Sequence, residues 1–379
     1  MRLLPEGVAI EAGGDLAGLD AKLAGVEDRP AVFLVRAGDG EPYLGRTSVL
    51  GRRLRRLLGE RARATRFLNL RAVVARIEYW PVGSKLESAI LSYELARRFW
   101  PEEYARRLKL RMPAYVKLIL TNRFPRTQVT ARLRGGSNRF YGPFRTRAEA
   151  ESFESQFLDL FQLRRCQEDL DPSPAHPGCI YGEMNMCLRP CQQAVGVEEY
   201  ASEARRVEAF LGSRGRSLVE IVAVARDRLS EEMNFEEAAR QHKRMEKIQQ
   251  IVKTGGELPR EVDKLYGAAV TPSAQAGAVE LWFLAEGVWQ ARRRLAVSTP
   301  DAAAVSLDHR LREVVASLEP VKTTARERQD HLALLVRWHS SSWRDGEWLP
   351  WETSATIPYR RLVNAIHRVA VTGGAGGVG

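Results

Sequence analysis

Apolar and polar positions along the chain change period several times, and each change marks an element. Pro30 to Arg36 alternates and is rich in strand formers, Gly38-Asp39-Gly40 reads as a hairpin turn, and Glu41 to Gly45 returns as a second strand. A helix opens at Ser48, with Leu50, Leu54 and Leu57-Leu58 on one side and arginines on the other. Val73 to Trp80 reads as a third strand. Lys85 to Phe99 is a helix carrying Leu86, Ala89, Ile90, Tyr93 and Ala96 on one face, and Pro101 stops it. The first 28 residues are rich in Gly and Ala and read as an extension.

Tyr115 to Thr121 and Arg126 to Arg134 predict two more strands, followed by a helix from Arg147 to Phe161. Further helices are expected from Glu198 to Leu211 and from Ser217, where Glu220 three residues on suggests a capping box. Asn234 is placed to cap the next, in which Phe235, Ala238, Ala239, His242, Met245, Ile248 and Val252 recur at three and four. Two helices joined so tightly must pack as an antiparallel hairpin. A strand pattern returns at Ala278–Leu284 and Val288–Val297, and Gly373 to Gly379 reads as a frayed tail.

Composition narrows the class. A chain of 379 residues exceeds one ordinary domain, and 44% hydrophobic content is enough to build cores. Lys and Arg outnumber Asp and Glu by 58 to 47, which favours a polyanionic partner, nucleic acid before membrane. No apolar run approaches the roughly 20 residues of a spanning helix, and the start Met1-Arg2-Leu3-Leu4-Pro5-Glu6 lacks a secretory pattern. A cytoplasmic protein without a membrane partner is expected, and reduced thiols with it.

All four cysteines, Cys166, Cys179, Cys187 and Cys191, fall in one short segment. Grouped thiols in a reducing compartment suggest a metal rather than disulfides. Only Cys187 and Cys191 are spaced like a zinc knuckle, so the residues alone leave zinc and an iron–sulfur cluster open. His176, near Cys179, is a further candidate ligand; an exposed loop histidine is its plainer reading.

The segments Phe140-Tyr141-Gly142-Pro143-Phe144, Leu163-Arg164-Arg165-Cys166, Pro177-Gly178-Cys179 and Met186-Cys187-Leu188-Arg189-Pro190-Cys191 resemble the cysteine-rich part of the UvrC family, the incision subunit of the bacterial UvrABC excinuclease. The resemblance runs from about Pro30 to Val297. Val32-Phe33 and Tyr43-Leu44-Gly45 resemble the two signature strands of the family's GIY-YIG nuclease domain, and Arg53 its helix arginine. Leu229, Met233, Phe235, Glu236, Ala238 and Ala239 resemble the UVR motif, the hairpin that docks on UvrB. The resemblance implies a [4Fe–4S] cluster on the four cysteines, with zinc as the alternative. It also implies DNA and UvrB as partners, the latter through Met233, Phe235, Glu236, Ala238, Ala239 and Met245.

Departures from the family pattern bear on activity. Phe33 stands where a tyrosine is expected, Arg46 where a lysine is, Ser92 where the metal-binding glutamate is, and Ala105 where an asparagine is. Mg²⁺ binds hard oxygen ligands, usually with a carboxylate among them, and hydrolysis needs its charge at the phosphate. At about 100° per residue, Glu94 points about 200° and Glu87 about 140° away from Ser92, so the helix offers no substitute. Tyr43, Arg46 and Arg53 then remain as phosphate contacts, with Arg52, Arg55 and Arg56 and the Arg61-Ala62-Arg63 run beside them.

The expected fold class is α+β and multidomain. It comprises an N-terminal extension (1–28), a small GIY-YIG-like α/β domain (29–112), a cysteine-rich cluster-binding linker (113–195), a helical UVR region (196–256), a small C-terminal α/β region like the family's connecting region (257–370) and a disordered tail (371–379). Neither the RNase H-like domain nor the helix–hairpin–helix motifs of the family's C-terminal half are expected here. The expected function is a non-catalytic UvrC-like accessory subunit of nucleotide-excision repair. The alternatives are an active structure-specific endonuclease, in which Mg²⁺ would serve, and a redox-responsive iron–sulfur regulator. Trp338, Trp343, Trp348 and Trp351 are expected to pack a terminal core rather than stack on bases.

Overall fold

The computed structural model describes residues 6–12, 16–38, 40–60, 68–134, 136–297, 305–319, 321, 323–353 and 355–375. It is an α+β chain with three antiparallel sheets among the described residues. The run Arg61-Ala62-Arg63 and the turn residue Asp39 lie outside them.

The first unit contains β1 (Val8–Glu11), α1 (Leu16–Ala24), β2 (Ala31–Ala37), β3 (Tyr43–Thr47), α2 (Leu50–Leu58), β4 (Val74–Pro81), α3 (Lys85–Phe99) and the short α4 (Tyr104–Arg107). Its sheet runs β1-β4-β2-β3. Strand alternation divides the two faces. Phe33 and Val35 face Leu19 and Leu23 of α1 and Leu50, Leu54 and Leu57 of α2. Val32 and Leu34 face Leu91 and Leu95 of α3.

A second unit follows with β5 (Ala114–Ile119), β6 (Arg126–Thr130), β7 (Arg139–Phe144), α5 (Arg147–Leu158), α6 (Ile180–Glu183), a 3₁₀ turn at Pro190–Gln192 and α7 (Val197–Gly212). The hairpin of α8 (Arg216–Glu231) and α9 (Phe235–Thr254) leaves this unit. The chain then returns as β8 (Arg260–Glu261), which pairs with β7. Ile248 and Ile251 of α9 enter the same core as Phe153, Phe157 and Phe210, so the root of the hairpin is built into this unit.

The C-terminal unit holds β9 (Tyr266–Pro272), β10 (Ala278–Ala285), β11 (Val288–Trp289), β12 (Arg293–Ala296), α10 (Leu307–Ala316), α11 (Ala325–His339), β13 (Glu347–Trp351) and α12 (Tyr359–Ala375). One face of its sheet, with Ala268, Val270, Leu281 and Phe283, is covered by Leu311 of α10 and Leu362 and Ile366 of α12. The other, with Ala269, Trp282 and Trp348, packs on Leu332, Leu335 and Trp338 of α11 and on Leu86, Ile90 and Tyr93 of α3. Helix α3 is therefore clamped between two units, as a helix apolar on more than one side must be. Each such Leu or Ile contributes roughly 1.5–3 kcal/mol by leaving water.

Polar bonds lock the same seam. Tyr104 and Tyr93 donate to Asp330 Oδ2 at 2.6 and 3.2 Å, Arg97 pairs with Glu327 at 2.6 Å, and the Lys85 N–H meets Asp345 at 2.6 Å. Glu87 is ion-paired with Arg292 of the C-terminal unit.

Several expectations need correction. The stretch read as an extension instead supplies β1, which pairs with β4, and α1, whose Leu19 and Leu23 are buried; its Gly and Ala content hid that apolar spacing. Ser217 does not cap α8: the helix starts at Arg216 after a left-handed Gly215, and the Ser217 N–H is taken by Ser213 Oγ. Asn234 does cap α9, accepting the Glu237 N–H. Helix α12 reaches Ala375, into the stretch read as a disordered tail, because Leu362, Ala365, Ile366 and Val369 are buried against the sheet; residues 376–379 lie outside the described residues. Trp338, Trp348 and Trp351 are core residues, whereas Trp343 is exposed.

Candidate functional site

In the first unit the two signature-like strands pair so that Phe33 faces Gly45. A side chain at 45 would collide with the Phe33 ring, which is why a glycine stands there. Tyr43, on the same face, accepts a hydrogen bond from Arg53 Nη2 at 3.0 Å. These two form a preassembled hydroxyl–guanidinium pair. Arg46 lies across the strand, opposite Val32 and so on the α3 face. Although the residue is exposed overall, the partial desolvation of its guanidinium against neighbouring protein, then the like charge of Arg337, holds it below the ordinary arginine range. The structure thus joins Tyr43 and Arg53 and places Arg46 apart from them.

Arg52 and Arg55 share Asp28, at 4.0 and 3.6 Å, and Arg55 also donates to Leu23 O, so Arg52 and Arg56 are the more outward of the three.

Ser92 is 2% exposed and donates its hydroxyl to Ser88 O at 2.7 Å, within its own helix. Both acidic residues of α3 are buried as well. Glu87 accepts from the Gly83 N–H at 2.8 Å and from Arg292, and burial pushes its carboxyl up to about 7. Burial likewise raises Glu94. No carboxylate of α3 is presented to solvent.

The cysteine segment is held from beneath by α7. Tyr200, fully buried, accepts the Arg164 N–H and donates to Pro125 O, both at 2.9 Å, and Glu203 accepts the Gln162 N–H at 2.7 Å. Arg164, 1% exposed, donates to Phe124 O, Glu168 O and Cys166 O, and reaches Cys166 Sγ at 3.4 Å. The Arg189 N–H points at Cys187 Sγ, also at 3.4 Å. Cys187 and Cys191 are buried, Cys166 half-buried and Cys179 exposed. Burial first, and then the other cysteines, pushes the Cys187 thiol up to about 11 and raises Cys191. The thiols thus lie within electrostatic reach of one another, with N–H donors turned toward sulfur. Among the described residues no three His, Cys, Asp or Glu side chains close to single-ion distance. His176 Nδ1 accepts the Gly178 N–H at 3.0 Å, which gives it a loop-bracing role.

On the hairpin, Met233 and Phe235 are 77% and 65% exposed, with Ile221 and Val224 also open. Glu236 is exposed, Ala238 is buried between the helices, and Met245 is half-buried against the core. Met233 sits at φ 59°, where the Asn234 N–H bonds Leu229 O and its own N–H bonds Ser230 O. That pair of bonds is the Schellman helix stop, usually completed by glycine.

The sequence marks Arg164 only as part of the cysteine-rich pattern and Tyr200 only as a position within a helix. The signal available was an arginine directly after apolar Leu163 in a segment too short to build a core.

These features define a multidomain α+β protein organised around a cysteine-bearing middle unit. Residues 115–210 match the family described as UvrC/Cho excinuclease, middle domain. Over most of its length the chain is similar to UvrABC system protein C. It is 22% identical to that of Lachnospira eligens over 273 residues, covering 71% of this chain and 44% of the relative. The corresponding figures are 24%, 62% and 38% for Ruminiclostridium cellulolyticum, and 27%, 58% and 35% for Rickettsia bellii. The chain thus spans less than half the length of these relatives. No solved structure matches it. Among the described residues, no helix is long and apolar enough to cross a membrane.

Proposed function

We propose that this chain is a UvrC-like, DNA-binding protein of nucleotide-excision repair that docks on UvrB and does not itself cut DNA. The observation that carries the non-catalytic reading is the burial of α3. The position where a metal carboxylate is expected holds Ser92, its hydroxyl is bound within the helix, and Glu87 and Glu94 are buried. The first unit, as a GIY-YIG-like domain, then contacts phosphate through Tyr43 and Arg53, with Arg52 and Arg56 adding charge, while Arg46 lies on the other face of the sheet. Such contacts are independent of sequence and sensitive to salt.

Helices α8 and α9 act as the UVR hairpin and meet UvrB through Met233, Phe235 and Glu236. Their exposure supports this, since large apolar side chains clustered at a turn leave an apolar surface for a partner. Cys166, Cys179, Cys187 and Cys191 would hold a [4Fe–4S] cluster, whose bulk suits thiols that gather without closing on a single ion. Bound there, it would supply a cross-link for a segment with little core of its own, while Arg164 and the Arg189 N–H orient two of the sulfurs. The protein would work in the cytoplasm. An active endonuclease is the rival, and the intact Tyr43–Arg53 pair is what favours it.

Purified protein mixed with UvrB and with duplex DNA at low salt tests the proposal. Binding to both is expected; binding to neither would overturn it.

A further inference from the structure

The C-terminal unit contains a cavity of about 880 Å³, within the roughly 300–1,000 Å³ of small-molecule sites. Tyr266, Phe283 and Trp351 contribute aromatic surface, and Leu318 is part of the lining. Gln290 also lines it and is only 4% exposed. Its amide nitrogen donates to Val288 O at 2.9 Å, and its backbone N–H to Phe283 O at 2.8 Å. The side chain is thereby fixed, and among the described residues nothing donates to its carbonyl oxygen. The oxygen is not among the buried unpartnered atoms, so it meets the open space of the cavity and is available to an N–H of a ligand. Arg328, on the same lining, gives Nη2 to Asp263 at 2.8 Å and keeps a second amino group for an acceptor.

Charge narrows the ligand. Glu286 and Glu319 line the cavity against a single guanidinium that is already paired, so a phosphate is disfavoured. Aromatic walls, one fixed acceptor and several donors, among them the buried and unpartnered Trp351 Nε1 and Arg328 Nε, suit a flat, neutral ring carrying both kinds of group on its edge. We propose that this cavity binds a planar heterocycle of the nucleobase type, with an N–H of the ring system donating to Gln290. The ring can arrive as a free nucleoside or as an unpaired base of a strand.

Calorimetric titration of the full chain with each deoxynucleoside, and with a single-stranded oligonucleotide and its abasic counterpart, tests this. A saturable signal with a nucleoside is expected, weakened at least tenfold in Gln290→Leu and also weakened in Leu318→Trp, which narrows the lining without adding charge. Nucleosides that fail while the oligonucleotide binds its bases, but not its abasic form, through a Leu318→Trp-sensitive site would identify the strand as the source. No saturable binding of either, or binding indifferent to both variants, overturns the proposal. None of these readouts involves UvrB, so failure here and failure of the repair reading are separable.

Discussion

Replacing Ser92 with glutamate puts a carboxylate where a metal-dependent nuclease of this kind would need one. If α3 lined an open cleft, the change would be harmless and could restore metal binding. In this structure Ser92 is buried, with Leu91 and Leu95 against the first sheet and Ile90 and Tyr93 against the C-terminal unit. Its same-face neighbours Ser88, Ala89, Leu95 and Ala96 offer no cation. An uncompensated buried charge costs about 3–5 kcal/mol, a large part of the roughly 5–15 kcal/mol that holds a domain folded. Ser92→Glu should therefore lower the urea midpoint sharply at neutral pH without producing Mg²⁺-dependent nicking. Burial would raise the new carboxyl's folded pKa above its unfolded value of about 4.3. Its penalty then shrinks as pH falls toward the unfolded value. Urea unfolding followed by far-UV circular dichroism at several pH values reads both effects. A variant with the wild-type midpoint and newly gained nicking would refute the reasoning.

Three further outcomes follow from other parts of the chain. His331 is 2% exposed, accepts the Trp289 N–H, and is held by burial at about 4 against an ordinary 6.5. The folded state binds fewer protons than the unfolded one across that interval, so stability is lost as pH falls. About 3 kcal/mol should disappear between pH 6.5 and 4 in the wild type relative to His331→Asn, read by urea midpoints. Glu87 acts in the opposite sense, favouring the fold as it protonates below about 7, so the paired comparison is needed to isolate the histidine. Met233→Gly should raise stability by about 1 kcal/mol, because the left-handed backbone no longer carries a side chain. The same variant should weaken capture by immobilised UvrB; unchanged capture would count against the hairpin as the docking surface. Arg164→Met should strip donors from three carbonyls at about 1–3 kcal/mol each and lower metal content per chain, measured by thermal unfolding and elemental analysis. Retention of both would remove Arg164 from its supporting role.

Much of the first unit was legible because short strands and helices there follow simple periods: α3 falls on Lys85–Phe99, the very bounds its apolar spacing predicts. What periodicity could not disclose was that α3 has two buried sides. Its second partner, α11, begins 226 positions after α3 ends at Phe99 (325 − 99), and nothing local announces such a contact. Residues 8–24 were misread for a related reason, since β1 is held by backbone pairing to β4, which side-chain pattern barely encodes. The cysteines stood out by grouping, yet their support did not. Tyr200 and Glu203 look like ordinary positions of an amphipathic helix until their hydrogen bonds to the 162–164 backbone are seen. Met245, in step with Ile248 and Val252 along α9, packs half-buried against the core as that spacing suggests.

The most direct test of a non-cutting repair subunit is an incision assay. Anaerobically purified protein is incubated with UvrA, UvrB, ATP, Mg²⁺ and a lesion-bearing duplex, and the strands are resolved on a denaturing gel beside a native mobility shift. The predicted result is an intact duplex with a stable UvrB–DNA supershift. Lesion-dependent nicking that Tyr43→Phe abolishes would contradict it and make the first unit a working nuclease.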